Sequence, residues 1–200
     1  MQLLGSATSP YVRKLRVVAL ELGLPLDYAE TAAMEDPAAL LAANPLGKVP
    51  ALILSDGTSL VDSPVIAAYL ISLSPTQTLV PAAGMAHFQA RAAEAIVDGI
   101  LDAAIILRFN AGQGITTGMW VDRQFRAIDR GLAALAGRIS DVTGYAELAV
   151  SYADLAIVIA CEYLDLRWPQ IDWRGANPAL AALQSRLAER PSLKATRPLG

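Results

Sequence analysis

The sequence predicts two domains of different class: a small α/β domain of order β-α-β-α-β-β-α, followed by an all-helical domain. Three observations predict it. Short strand-like runs alternate with helical patterns only at the N-terminal end of the chain. A stretch rich in Pro, Thr, Ala and Gly, from Ser74-Pro75 to Gly84, has no periodicity and reads as a linker. Beyond it, every patterned segment has helical spacing. The expected boundaries are 1–75 for the α/β domain, 76–84 for the linker and 85–200 for the helical domain. Two hundred residues, 54% of them hydrophobic and 18% charged, are enough to build a substantial core.

Each element has a local reason. Gln2 to Leu4 is a short apolar run that suits an opening strand. Ser9 is a good N-cap, and Pro10 fits the first helical position, where its missing N–H costs nothing. Leu15, Val18, Ala19 and Leu22 follow at helical spacing, and Gly23 stops the helix. Leu26 to Glu30 alternates as a second strand. Asp36-Pro37 opens a short helix that ends at Asn44-Pro45. Ala51 to Leu54 and Ser59 to Val61 form a hairpin about the turn Ser55-Asp56-Gly57. Ser63-Pro64, with Ser63 read as a hydroxyl cap, starts a helix running to about Ser72. After the linker come helical patterns over Met85 to Phe109 and Trp120 to Ile139. Ser151 to Asp154 has capping-box spacing, with Asp in place of Glu or Gln, ahead of an apolar run from Leu155 to Ala160. That run is apolar on all sides, so its helix is expected at the centre of the second domain. Asn177-Pro178 starts a last helix ending near Pro191.

Composition excludes several kinds of chemistry. The single cysteine, Cys161, and single histidine, His87, rule out an internal disulfide, a Cys-x-x-Cys redox pair and a Cys/His zinc site. His87 lies in a helical pattern and no Gly-x-Ser-x-Gly elbow exists, which argues against a serine hydrolase. A formal net charge of −3 argues against nucleic acid as the main partner. Apolar runs fall short of the roughly 18–20 residues that span a bilayer, and no leader pattern opens the chain, so a soluble cytoplasmic protein without a membrane partner is expected. No metal is implied.

Three segments of the first domain hold the polar groups from which a site is built. Ser6 to Lys14 is a hydroxyl-rich loop entering a helix, whose free N–H groups and dipole stabilise an anion. Asn44 to Leu52, Asn-Pro-Leu-Gly-Lys-Val-Pro-Ala-Leu, places Pro50 just before a strand. A cis Val49-Pro50 bond there would leave the Val49 amide and carbonyl open to a peptide added as an extra strand. Asp62-Ser63-Pro64 sets an acid beside a hydroxyl at another helix start, an arrangement that suits the ammonium and carboxylate of an amino acid. Taken singly, each is also what an ordinary cap or a strand-flanking proline looks like. The basic residues Arg13, Lys14 and Arg16 read as a solvated helix face.

All three segments in this order resemble the glutathione S-transferase superfamily: SPYVRK opening the first helix, NPLGKVPAL before the third strand, and DSPVIAAYL after the hairpin. The likeness is greatest to short bacterial members with a Ser-containing TSP-aromatic-VRK loop. It implies a thioredoxin-like N-terminal domain that binds glutathione as co-substrate and a helical C-terminal domain supplying most of the electrophile pocket, near Ile105, Arg108, Phe109, Met119 or Trp120. By the same resemblance Val49 offers its backbone to the cysteinyl part, with Pro50 as the cis proline. Asp62 and Ser63 grip the γ-glutamyl end, and Lys48 stands near the glycyl carboxylate. The thiol is expected at Ser9, with Thr8 as the first alternative and Ser6, Tyr11 or backbone amides after it. The loop has no cysteine, which counts against a glutaredoxin-like reductase. A two-fold homodimer is also implied.

The implied mechanism is physically sufficient. A free thiol of pKa about 8.5 is a few per cent ionised at neutral pH, and lowering it by about two units takes roughly 2.7 kcal/mol. One hydroxyl bond to the anion supplies about 1.5–3 kcal/mol and the helix end about 0.3–1 kcal/mol. The expected function is conjugation of the glutathione thiolate to small hydrophobic electrophiles, as in detoxification. The alternatives are a non-catalytic glutathione- or ligand-binding protein of the same fold, and an interaction module that keeps the fold without the site. Cys161, in the apolar helix, is expected to be inert.

Overall fold

A computed structural model describes residues 1–75, 79–141 and 150–198. The chain divides into two compact units, one comprising Met1–Gln77 with Arg190–Gly200 and the other Thr78–Glu189. The first part of the expected linker, 76–78, lies outside the described residues.

The first unit runs β1 (Gln2–Gly5), α1 (Pro10–Glu21), β2 (Asp27–Glu30), a 3-10 turn (Ala33–Glu35), α2 (Ala38–Ala43), β3 (Ala51–Ile53), β4 (Ser59–Leu60) and α3 (Ser63–Ser72). Among the described residues it has one four-stranded sheet of order β2-β1-β3-β4, with β1 parallel to β2 and antiparallel to β3. The expected order of elements is reproduced, within a residue or two at the ends. Period-2 geometry sends neighbouring side chains to opposite faces of the sheet. Leu4 and Ala51, paired directly, pack with Leu40 and Ala43 of α2. Leu3 and Leu52, also paired, point to the other face, where Val12, Leu15, Val18, Ile66, Ala67 and Leu70 are buried on α1 and α3. Each such aliphatic side chain contributes about 1.5–3 kcal/mol on leaving water. Gly5 lets α1 come this close, because a Cβ there would lie 2.5 Å from Val12 Cγ2.

A further helix, α9 (Pro191–Ala195), belongs to this first unit rather than to the helical one, so the expected single span 85–200 is cut at Arg190. Long-range polar contacts explain it. Arg13, 3% exposed, donates from Nε to Thr196 Oγ1 at 3.3 Å and from Nη2 to the Leu193 carbonyl at 3.1 Å. Lys14 is wholly buried, and the Arg16 guanidinium lies 4.6 Å over the Tyr28 ring. The solvated basic face expected of α1 is therefore corrected: its first two cations belong to the interior, Arg13 on the C-terminal acceptors and Lys14 with its Nζ 5.6 Å from the centre of the Tyr11 ring.

The same segment is clamped at the far end of α1. Glu21 accepts two bonds of 2.6 Å from Arg190 and one from the Ser192 hydroxyl. Burial raises the Glu21 pKa, but the bonds from Arg190 and Ser192 outweigh it and hold the carboxyl below its ordinary value. A depressed carboxyl stabilises the fold above its unfolded pKa, and that contribution disappears as pH falls through the folded pKa. Glu21→Gln is therefore expected to cost about 1 kcal/mol at pH 7, a modest figure because Arg190 stays partly open to water. The gap from wild type is expected to close below about pH 4. Denaturant titrations of both proteins across pH 3–7 check this, and a gap constant with pH would contradict it.

The second unit is helical: α4 (Gly84–Gly112), α5 (Met119–Asp141), α6 (Tyr152–Arg167), α7 (Trp173–Ala176) and α8 (Pro178–Leu187). As the sequence predicts, α6 is its core, with Leu155 to Cys161 all buried. Its start is a complete capping box: Ser151 Oγ accepts from the Asp154 amide at 3.1 Å, and Asp154 Oδ2 from the Ser151 amide at 3.0 Å. Asp154 is thus accounted for structurally. Helix α5 presents Val121, Gln124, Ile128, Leu132 and Leu135 as a buried stripe at helical spacing. Gly131 permits its close crossing with α4, since a Cβ there would lie 2.7 Å from Ile100 Cγ1. Burial drives the Cys161 thiol far above its ordinary pKa, so it remains protonated and unreactive. Among the described residues no helix is long and apolar enough to cross a membrane.

Candidate functional site

Strand register brings the three sequence segments to one end of the sheet. Strand β1 runs out at Gly5 into the Ser6–Ser9 loop and α1. Strand β3 is antiparallel to it and starts with Ala51 opposite Leu4, so Lys48, Val49 and Pro50 sit at that end. The hairpin returns β4 antiparallel to β3, with Leu60 opposite Leu52, and delivers Asp62 and Ser63 to the same end. Residues separated by more than fifty positions in sequence converge because β3 reverses direction and β4 reverses it again.

In the first loop, Ser9 caps α1, its Oγ accepting from the Val12 amide at 3.3 Å. A hydroxyl used as an acceptor keeps its own proton available to donate. Thr8 is half-buried, with no protein partner for its hydroxyl among the described residues. The loop is held from the neighbouring strand: the Glu30 carboxylate accepts from the Ala7 amide at 3.1 Å and from the Tyr28 hydroxyl. Burial and this carboxylate both push the Tyr28 pKa well above the usual phenol range, so Tyr28 stays a donor.

In the second segment the Val49–Pro50 peptide bond is cis, as is Val61–Asp62. The Val49 amide and carbonyl have no hydrogen-bond partner among the described residues, while its side chain packs on the sheet core. Asn44, only 3% exposed, braces this turn. Its Nδ2 donates to the Lys48 carbonyl at 2.7 Å and its Oδ1 accepts from the Leu46 amide at 3.0 Å. Gly47 takes φ +62° between them, a conformation that favours glycine. Lys48 is exposed.

The third segment corrects the cap expected of Ser63. Asp62 occupies the N-cap position, its carbonyl accepting from the Ile66 amide at 2.9 Å, and Ser63 is the first helical residue. Neither side chain makes a capping bond. The helix starts one residue earlier than the sequence suggests, so Ser63 stands inside its first turn, where its hydroxyl is not at the capping position. The Ser63 amide and hydroxyl therefore keep their donors unpaired by protein among the described residues, at a helix N-terminus, while the Asp62 carboxylate is exposed beside them. Ser63 itself is 3% exposed.

Glu30 and Asn44 are the positioning residues that sequence reasoning passed over. A signal existed for each: Tyr28 and Glu30 alternate onto one face at the end of β2, and Asn44 sits at a helix end before a proline. Among the described residues, the end of the sheet thus gathers unpaired N–H and O–H donors, an unpaired carbonyl, the Asp62 carboxylate and the Lys48 ammonium, a set matched to an extended zwitterionic peptide. Among the described residues no cluster of His, Cys, Asp or Glu is spaced to hold a metal ion. A cavity of about 360 Å³ in the helical unit, lined by Phe125, Asp129, Leu132 and Trp173 among others, contains none of these residues.

Comparison with known proteins agrees with this arrangement. Residues 3–78 match the family model for the glutathione S-transferase N-terminal domain, and residues 118–183 match that for its C-terminal domain. The chain is 33% identical over 200 residues to the uncharacterized GST-like protein YibF of Escherichia coli strain K12, covering 99% of this chain and 98% of that protein. A glutathione S-transferase from Methylobacillus flagellatus KT, crystallised with glutathione bound, is 35% identical with a TM-score of 0.91, covering 99% of each chain. A glutathione transferase family member from Pseudomonas fluorescens Pf-5, crystallised with S-(propanoic acid)-glutathione, is 33% identical with a TM-score of 0.82, covering 100% of each chain. Sheet order, domain succession and likeness over the whole length agree, and the chain belongs to the glutathione S-transferase superfamily.

Proposed function

We propose that this protein binds glutathione at that end of the sheet and conjugates its thiolate to small hydrophobic electrophiles. The observation that carries the reading is the unpaired Val49 backbone beside the unpaired Ser63 amide and hydroxyl. Glutathione bound in the Methylobacillus flagellatus relative supports the ligand, and an S-substituted glutathione bound in the Pseudomonas fluorescens relative supports the conjugation. In this reading the cysteinyl moiety lies against Val49, ahead of Pro50, and makes the two main-chain bonds of an added strand. The γ-glutamyl carboxylate takes the Ser63 hydroxyl and amide at the start of α3, and its ammonium takes Asp62. Lys48 faces the glycyl carboxylate. Ser9, or Thr8 in its place, donates to the sulfur at the start of α1. Once the thiolate attacks, a carbon–sulfur bond forms and the electrophile's leaving group departs with the electron pair.

Calorimetric titration of glutathione into the wild type and into Ser63→Ala tests the binding step. Saturable wild-type binding is expected, weakened about tenfold or more in the variant, because one charge-assisted hydrogen bond of about 1.5–3 kcal/mol is removed. Wild-type protein that takes up no glutathione at millimolar concentration would refute the reading. The fold is also proposed to work as a two-fold dimer, with the first domain of one subunit against the helical domain of its partner. Sedimentation is expected to show a species of twice the 21.1 kDa chain mass, and a monomer at all concentrations would contradict it.

A further inference from the structure

The cavity of about 360 Å³ in the helical unit is lined by one face of α5 and by the segment joining α6 to α8. Phe125, Asp129 and Leu132 stand at i, i+4 and i+7 on α5, so a single helix face supplies a ring, a carboxylate and an aliphatic wall. Asp172, Trp173 and Asn177 come from the joining segment. The volume falls within the roughly 300–1,000 Å³ of small-molecule sites. None of the residues expected of the electrophile pocket lines it, and no residue of the glutathione grip does.

Its polar groups are acceptors. Asp172 Oδ1 takes the Gly175 amide at 2.9 Å, and the missing side chain of Gly175 admits it, since a Cβ there would lie 2.3 Å from Asp172 Oδ2. Asp129 is exposed at the rim. No lysine or arginine lines the cavity, and none pairs with either carboxylate among the described residues. Asn177 adds an independent sign of a ligand, because it is only 7% exposed and still has an open acceptor. Its amide donates to the Trp173 carbonyl at 3.0 Å, its carbonyl accepts from the Leu180 amide at 3.0 Å, and its Nδ2 donates to the Trp173 carbonyl at 3.3 Å. Its Oδ1 accepts from nothing among the described residues, although Asn177 holds the N-cap position of α8, where such an oxygen ordinarily takes a backbone N–H. A nearly buried acceptor left unpaired is costly until a donor reaches it.

We infer that this cavity binds a small organic cation, an ammonium carried on an apolar body. An ammonium has three N–H donors and no acceptor, which suits the Asp129 and Asp172 carboxylates and Asn177 Oδ1. The body packs on Phe125, Leu132 and Trp173, and aromatic faces attract a cation further. A cleft lined by charges of one sign concentrates ligands of the other. The site goes beyond the glutathione reading and selects the opposite charge to a thiolate.

The test is titration of benzylamine, cationic at neutral pH, into the full chain with no glutathione present, by calorimetry and by the Trp173 indole N–H resonance. Saturable one-to-one binding that shifts this resonance is expected. Benzyl alcohol, of the same shape without the charge, is expected to bind about tenfold more weakly or worse. Asp129→Asn and Asp172→Asn are each expected to weaken benzylamine about threefold, and the double variant about tenfold or more. Both should keep the fold, since Asp129 is exposed and asparagine caps a helix as well as aspartate does. Asp122→Asn, at an exposed acid of α5 outside the lining, is expected to leave binding unchanged. Alcohol and amine binding alike, a double variant as tight as wild type, a loss of equal size in Asp122→Asn, or no saturation up to tens of millimolar would overturn the inference. Because glutathione is absent, failure here is distinct from failure of the transferase reading.

Discussion

Replacing Ser9 by alanine is expected to raise the pKa of protein-bound glutathione thiol from about 6.5 toward 8.5 and to lower turnover of a reactive aryl halide at neutral pH about 100-fold. The expectation follows from the position of the hydroxyl. Ser9 accepts from the Val12 amide, so its oxygen is already polarised and its proton is available to a sulfur anion at the start of α1. Loss of that bond removes most of the roughly 2.7 kcal/mol that a two-unit shift requires, and the helix end retains the remainder. The same substitution removes an N-cap, which costs about 1 kcal/mol of stability. Ser9→Gly separates the two effects, since glycine at an N-cap costs only a few tenths of a kcal/mol yet has no hydroxyl. Both variants are expected to lose turnover alike while differing in melting temperature. Thiolate absorbance against pH, read together with turnover, checks this. If Ser9→Ala left both unchanged while Thr8→Val abolished them, the thiol contact would pass to Thr8.

The largest expected loss of stability lies in the helical unit, at Glu94→Ala, where about 3 kcal/mol and a fall of roughly 6–12 °C in melting temperature are expected. Glu94 is 3% exposed on α4. Its Oε1 accepts from the Tyr152 hydroxyl at 2.9 Å, and its Oε2 meets Arg91 Nη1 at 2.8 Å. Burial, then the Glu94 charge, holds the Tyr152 hydroxyl protonated far above the ordinary phenol range. Alanine at 94 leaves that hydroxyl, on a side chain 2% exposed, without its carboxylate. Removing one member of a buried charged pair costs about 3–5 kcal/mol; the lower end applies because Arg91 keeps access to water. Tyr152→Phe is expected to cost only about 1 kcal/mol, because Glu94 keeps Arg91, and the double variant less than the sum of the singles. Equilibrium unfolding in urea measures all three. Additive losses would show that the Glu94–Tyr152 contact carries no coupling.

Element ends are what the amino-acid order alone makes legible in this chain. Ser9-Pro10, Gly23, Asn44-Pro45, Ser55-Asp56-Gly57 and the Ser151–Asp154 box each mark one, because caps and turns depend on backbone angles and hydrogen bonds among residues a few positions apart. The three site segments are legible for the same reason. Their convergence on one end of the sheet needs the pairings of Leu4 with Ala51 and Leu52 with Leu60. Ser63 shows the limit even of local reading: a hydroxyl before a proline suggests a cap, yet the helix starts one residue earlier, with Asp62 at the N-cap position. Tertiary contacts alone make Arg13 and Lys14 interior, join 190–198 to the first unit, and bury Glu94 against Tyr152. A charge is solvated or buried according to which partner reaches it. Thr196 reaches Arg13 across 183 positions of sequence, too far for periodicity or composition to register.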